Sequence, residues 1–158
     1  MSASDRPRCY VASPLGFTEA GRDYYRRVFL PALEPFVEPV DPWELTTEAE
    51  IDRARTDGHL REVLFEIGRR NIRAIRSSPL LVAVLDGQEP DSGTVAELGY
   101  AAALGKRCFG LRSDRRQAGD EGAVVNLQVE TFILDSGGII ATTLADLAGV
   151  LRRTVHGA

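Results

Sequence analysis

The chain has little of what usually announces a bound metal, a redox group or a polyanion. Its 158 residues include two cysteines and two histidines. Cys9 and Cys108 stand far apart in apolar stretches without CxxC or metal-ligand spacing, so buried reduced thiols are expected. His59 and His156 lie in polar surroundings with no partner at ligand spacing, so no metal site and no other cofactor is expected. Neither GxxxxGK[ST] nor GxGxxG occurs, which removes the signals for nucleoside triphosphates and dinucleotides. Positive charge is not in excess. Nineteen Lys and Arg face 23 Asp and Glu, for a net charge of -4, so no global field draws the protein to a nucleic acid polymer or an anionic membrane. No apolar run approaches bilayer length, and the opening MSASDRPR lacks the apolar core of a signal peptide. A cytoplasmic location is therefore the expectation. Repeats and low-complexity linkers are also missing, and 158 residues at 44% hydrophobic content suit a single domain over residues 1–158.

What is present reads as alternating strands and helices. Cys9 to Ala12 is a short apolar strand closed by the turn Ser13-Pro14-Leu15-Gly16. A helix follows from Thr18, its N-cap, to the stop at Pro35. Phe36 to Val40 reads as a second strand, and the acidic, Thr-rich stretch from Asp41 to Gly58 as a long loop suited to a substrate lid. Val63, Ile67, Ile72 and Ile75 make the apolar stripe of a helix from Leu60 to Arg76, with Arg61, Arg69, Arg70, Arg73 and Arg76 outward. Leu80 to Leu85 is apolar without alternation, as expected of a central parallel strand covered on both faces. Next come a helix over Thr94–Leu104, a strand over Arg107–Leu111, a polar loop from Ser113 to Gly122 and a helix over Val124–Leu134. Ile139 to Ala141 and Leu144 to Val155 supply a last strand and helix. This order predicts an α/β fold: a doubly wound, five-stranded parallel sheet of flavodoxin or Rossmann type, with helices on both faces. Such folds bind ligands at the carboxyl ends of their strands, here after Ala12, Leu85 and Leu111.

The segment from Asp86 to Glu97, DGQEPDSGTVAE, puts several carboxylates and two glycines at one of those ends. Gly93 lets backbone amides approach a ligand, Ser92 or Thr94 can cap the helix, and Glu97 lies about one turn inside it. Spacing alone leaves two readings open. Asp86 and Asp91 are turn residues and Glu97 an acid favoured by the helix dipole, or these carboxylates serve chemistry.

The run DGQEPDSGTVAELGYAAALGK, followed by SDRR, resembles the central motif D-[SC]-G-T-x-x-E-x-G-x-A of the nucleoside 2-deoxyribosyltransferase family. The resemblance extends to the opening YVASPLGF, to Asn71-Ile72 and to Asn126-Leu127. It implies a double displacement at an anomeric carbon. Glu97 would be the nucleophile, and Asp91 would hold the sugar and help to position it. A carboxylate attacks C1′ as the base leaves through an oxocarbenium-like transition state, and the glycosyl-enzyme passes to a second base with net retention. The other substrate-binding candidates are Tyr10, Phe17, Asn71, Asp86, Gly93, Asn126 and Ser136. Helix-start amides or the Tyr10 hydroxyl would keep Glu97 ionised, and Asp86 is a candidate acid for the leaving base. Asn71 can orient a base but cannot act as a general acid. Trp43 either stacks on a base or pins its loop.

The resemblance implies small-molecule partners, a nucleoside or nucleotide and a free nucleobase. It also implies a homodimer or larger even homo-oligomer, in which the Asn126-Leu127 element reaches a neighbour's site. Ser136-Gly137-Gly138 offers an alternative register for that element, or an ordinary turn. Two other functions remain open: a nucleoside or nucleoside 5′-monophosphate N-glycosidase using the same glutamate, and a non-catalytic nucleotide-binding sensor.

Overall fold

The computed structural model describes residues 6–157. Its five strands are β1 (Arg8–Ala12), β2 (Glu38–Val40), β3 (Leu80–Val84), β4 (Arg107–Leu111) and β5 (Ile140–Ala141). All neighbouring strands pair in parallel, in the order β2-β1-β3-β4-β5. This is the doubly wound sheet that the alternating pattern predicts. β3 lies at the centre and is buried along its whole length, which accounts for its unbroken apolar run.

Strand geometry divides the core into two layers, because successive side chains leave opposite faces of a sheet. Cys9 and Val11 of β1, Val82 and Val84 of β3, and Phe109 of β4 join one layer. Phe29, Leu33, Leu147 and Leu151 cover them. Those covering residues come from the first helical stretch, α1 (Glu19–Tyr24), a π-helical turn (Tyr25–Phe29) and α2 (Leu30–Leu33), and from α7 (Leu144–His156). Tyr10, Ala12, Leu81, Ala83 and Cys108 point the other way. There they meet α4 (Leu60–Ser77), α5 (Ser92–Ala103) and α6 (Leu127–Asp135). Each fully buried Leu, Val or Phe adds about 1.5–3 kcal/mol to this two-sided core. Both cysteines are buried and unpaired, on opposite faces of the sheet. Burial pushes the Cys108 thiol up to about 11 and that of Cys9 higher still, so both stay protonated at neutral pH.

The stretch from Asp41 to Gly58 differs from the open loop expected of it. It contains a 3-10 turn (Pro42–Glu44) and a helix, α3 (Glu48–Thr56). The Thr47 hydroxyl accepts the N–H of Glu50, as an N-cap should. Arg70 does not face outward either. Its guanidinium donates to both carboxylate oxygens of Glu50 (2.6 and 2.9 Å) and to the Leu45 carbonyl, fastening α3 to α4. A lid in the sense of a long free loop is thus absent from this stretch. No helix among the described residues is long and apolar enough to cross a membrane.

Candidate active site

The sheet order reverses direction at β1. From β1 the chain goes to β2 on one side, then returns to place β3 on the other. Crossovers that diverge in this way leave a crevice at the carboxyl ends of the two strands. Tyr10 of β1 points to the α4/α5 side of the sheet. Thr94, Leu98 and Ala101 form the buried face of α5, and this periodicity carries Glu97 inward as well. The Tyr10 hydroxyl donates to Glu97 Oε1 at 2.7 Å, and Asn71 Nδ2, from α4, donates to the same oxygen at 3.2 Å. Three elements remote in sequence thus converge on one carboxylate. Among the described residues, no protein group donates to its second oxygen.

Asp91, rather than Ser92 or Thr94, is the N-cap of α5. Its Oδ2 accepts the Thr94 N–H at 2.8 Å and the Thr94 hydroxyl at 3.1 Å. Gly93 packs against this carboxylate, where a Cβ would lie 3.1 Å from Asp91 Oδ2. Burial raises the Glu97 carboxyl above the usual glutamate range. The hydrogen bonds from Tyr10 and Asn71 oppose the rise, and the charge of Asp91 adds to it. Tyr10 is fully buried and its phenol is pushed far up, first by burial and then by Glu97, so it remains a donor.

Glu97, Asp91, Asn71, Gly93, Thr94 and Ser13 line a cavity of about 390 Å³. This volume lies within the range of about 300–1,000 Å³ common for small-molecule sites. The rest of its lining is apolar: Phe17, Pro42, Trp43, Ile51, Leu64 and Ile67. Phe17 is 68% exposed and meets Trp43 edge to face, with ring centroids 4.8 Å apart. The lining includes two carboxylates and no Lys, Arg or His. Among the described residues, no group of three or more His, Cys, Asp or Glu is placed to hold a metal ion.

Three of the residues singled out from sequence lie elsewhere. Asp86 lies two residues beyond β3 and turns toward the loop after β4. Its carboxylate accepts the N–H groups of Ser113 (2.6 Å) and Asp114 (2.8 Å) and the Ser113 hydroxyl (2.7 Å), and it does not line the cavity, so it is not positioned as the acid for a leaving base. Asn126 is exposed and caps α6, accepting the Gln128 N–H. Helix α6 therefore begins after Asn126, three residues later than the expected Val124. Ser136 ends α6. Its hydroxyl donates to the Ile133 carbonyl and accepts the Cys108 N–H, while Gly137 (φ 80°) and Gly138 make the turn into β5. A Cβ on Gly138 would come within 1.7 Å of the Cys108 carbonyl oxygen, so this glycine is needed for close approach. Ser136-Gly137-Gly138 is a structural turn.

The family model for nucleoside 2-deoxyribosyltransferases matches residues 9–134, most of the chain. The chain belongs to that family. Among solved structures, a 2-deoxyribosyltransferase from Leishmania mexicana is 27% identical, with a TM-score of 0.56 over 78% of this chain and 85% of that one. The 2-deoxyribosyltransferase from Bacillus psychrosaccharolyticus shares the fold at 20% identity, with a TM-score of 0.62 over 89% and 90% of the two chains. A conserved protein from Enterococcus faecalis V583 gives a TM-score of 0.66 at 23% identity, covering 94% of this chain and 99% of its own. No curated protein sequence matches the chain.

Sequence reasoning missed several members of the cavity: Ser13, Ile51, Leu64 and Thr94. A signal for Ile51 was available, since Thr47-x-x-Glu50 has the form of a capping box and marks the helix that carries it. For Ser13 and Leu64 no local signal existed, because their exposure to the cavity depends on how β1 and α4 cross.

Proposed function

We propose that the chain transfers a 2-deoxyribosyl group between nucleobases through a covalent ester on Glu97. One observation carries this reading. Tyr10 and Asn71 both donate to Oε1 of Glu97, which holds the carboxylate and leaves the other oxygen for an incoming atom. In the first step that oxygen bonds to C1′ while the C1′–N bond breaks, its electron pair leaving with the base, which takes up a proton. In the second, a nitrogen of a new base attacks C1′, the ester bond returns its electrons to Glu97, and the base gives up its proton. Two inversions give net retention.

In this reading Asp91 holds the sugar, fixed as a helix cap by Thr94, with Gly93 allowing the sugar near the helix start. Phe17 covers the substrate, and Asn71 holds Glu97 and orients the base. The lining carries two carboxylates and no cation, which favours a nucleoside over a 5′-monophosphate, whose phosphate this chain would not neutralise. Asn126 and the 62% exposed Leu127 beside it are free to reach a neighbour's cavity in an even homo-oligomer. In this reading residues 1–158 act as one domain.

The test is to incubate purified protein with deoxynucleosides, ribonucleosides and monophosphates, with and without a second free base, and to separate the products. Exchange that requires the added base supports the transferase. Free sugar formed regardless of added base would instead make the protein an N-glycosidase. Tight binding with neither product would make it a sensor.

A further inference from the structure

The cavity's aromatic wall is held by groups that the chemistry at Glu97 does not use. Trp43 follows β2 by three residues, on the 3-10 turn, and is 37% exposed. Its backbone N–H donates to Asp41 Oδ1 at 2.9 Å, and the same oxygen accepts the Tyr25 hydroxyl at 3.1 Å. Asp41 and Tyr25 are both buried. Burying a carboxylate is costly unless it is well bonded, and burial raises the Asp41 carboxyl above its ordinary range. The indole meets a second constraint at Gly16. A Cβ there would fall 2.1 Å from Trp43 Cε2 and 2.4 Å from Cδ2, so only glycine leaves room for this ring. Phe17 then packs edge-on against it, and the Trp43 Nε1–H points to the Ser13 carbonyl at 3.4 Å. A surface indole would need none of this support. Here it lines the cavity that Glu97 also lines.

We propose that Trp43 is the platform on which the substrate's base lies, and that the buried Tyr25–Asp41 pair together with Gly16 positions it. This rests on the transferase reading in one respect: the ligand's sugar lies toward Glu97 and its base toward Trp43. A ring face offers contact area rather than a hydrogen-bond code, so the platform binds a purine more tightly than a pyrimidine. Asp41 and Tyr25 are positioning residues. Asp41 bonds the Trp43 backbone, Tyr25 bonds Asp41, and neither lines the cavity.

Trp43 is the only tryptophan in the chain, so its fluorescence reports the platform directly. Full-length protein carrying Glu97→Gln, which cannot turn substrate over, is titrated with 2′-deoxyadenosine and with thymidine. Saturable quenching is expected, with 2′-deoxyadenosine bound several-fold more tightly. In the otherwise wild-type chain, Trp43→Ala should raise KM for the purine nucleoside roughly tenfold, the scale of one base–aromatic stack, change kcat far less, and shrink the purine advantage. Asp41→Ala should shift the emission spectrum of Trp43 and raise KM in the same sense. Asp41→Asn keeps an acceptor oxygen and should restore both. Should Asp41→Ala not fold, Tyr25→Phe removes a single hydroxyl and carries the same spectral prediction. Exchange activity with silent Trp43 fluorescence and an unchanged purine advantage in Trp43→Ala would overturn the platform while leaving the transferase intact. Quenching without any exchange or hydrolysis would do the reverse.

Discussion

The carboxyl ends of β1 and β3 lie beside those of β3 and β4, yet the first pair opens into a cavity and the second is laced together. Over β3 and β4, Asp86 takes three hydrogen bonds from Ser113 and Asp114. The buried Arg112 donates to the carbonyls of Leu85 (2.5 Å), Gly87 (2.6 Å) and Arg116 (2.8 Å). Over β1 and β3, Tyr10 and Asn71 converge on Glu97, and space remains in front of it. Strands joined in sequence order carry loops that leave in the same direction and pack on each other, whereas strands at the reversal point carry loops that part. One segment, Asp86 to Glu97, therefore supplies a structural carboxylate at one end and, at the other, the cavity carboxylate that we propose as the nucleophile.

Five substitutions would break or sharpen this contrast. Glu97→Ala should lower exchange by on the order of 10⁴-fold or more, since no other carboxylate shares its hydrogen-bonded position. Its amide counterpart, Glu97→Gln, should melt at a higher temperature at neutral pH. Burial raises the Glu97 carboxyl in the folded state, so its stabilising contribution is complete below the unfolded value and is lost as pH rises through the folded one. On the laced side, Arg112→Met should cost about 3 kcal/mol of stability by denaturant titration, because it leaves three carbonyls without their donor. Any activity that survives there should have normal KM.

Tyr10→Phe removes one of the two contacts that favour ionised Glu97 and should reduce kcat/KM about tenfold at neutral pH. Its pH profile is more telling. The acid limb of the native protein should lie above the usual glutamate range, and the variant's limb should move further up. The smallest effect belongs to Asp86→Ala. A stability loss of about 1 kcal/mol is expected, with kcat/KM changed by less than about twofold. A large activity loss there would return Asp86 to the chemistry.

Legibility from sequence followed the same divide. β3 and β4 could be read from apolar runs because every residue of the first, and all but the leading Arg107 of the second, is buried. Helix α3 escaped because Ile51 and Ala54 alone make its inner face, and its acidic surface resembles a loop. Glu97 was ambiguous by spacing, and the motif around it supplied the chemical reading. The partners of that motif, Tyr10 and Asn71, come from strands and helices whose approach no local pattern encodes. Arg112 shows the opposite case. It stands just before the polar stretch that begins at Ser113, and its burial arises because the carbonyls of residues 85, 87 and 116 meet around it.

The central claim is an ester on Glu97. It is tested most directly by mixing the protein with a 2′-deoxynucleoside in the absence of any acceptor base, quenching in acid and measuring intact and peptide mass. The account predicts one added deoxyribosyl group, carried by the peptide containing Glu97 and removed when free base is supplied before the quench. A label on a different residue, or base exchange that persists in Glu97→Ala, would contradict it.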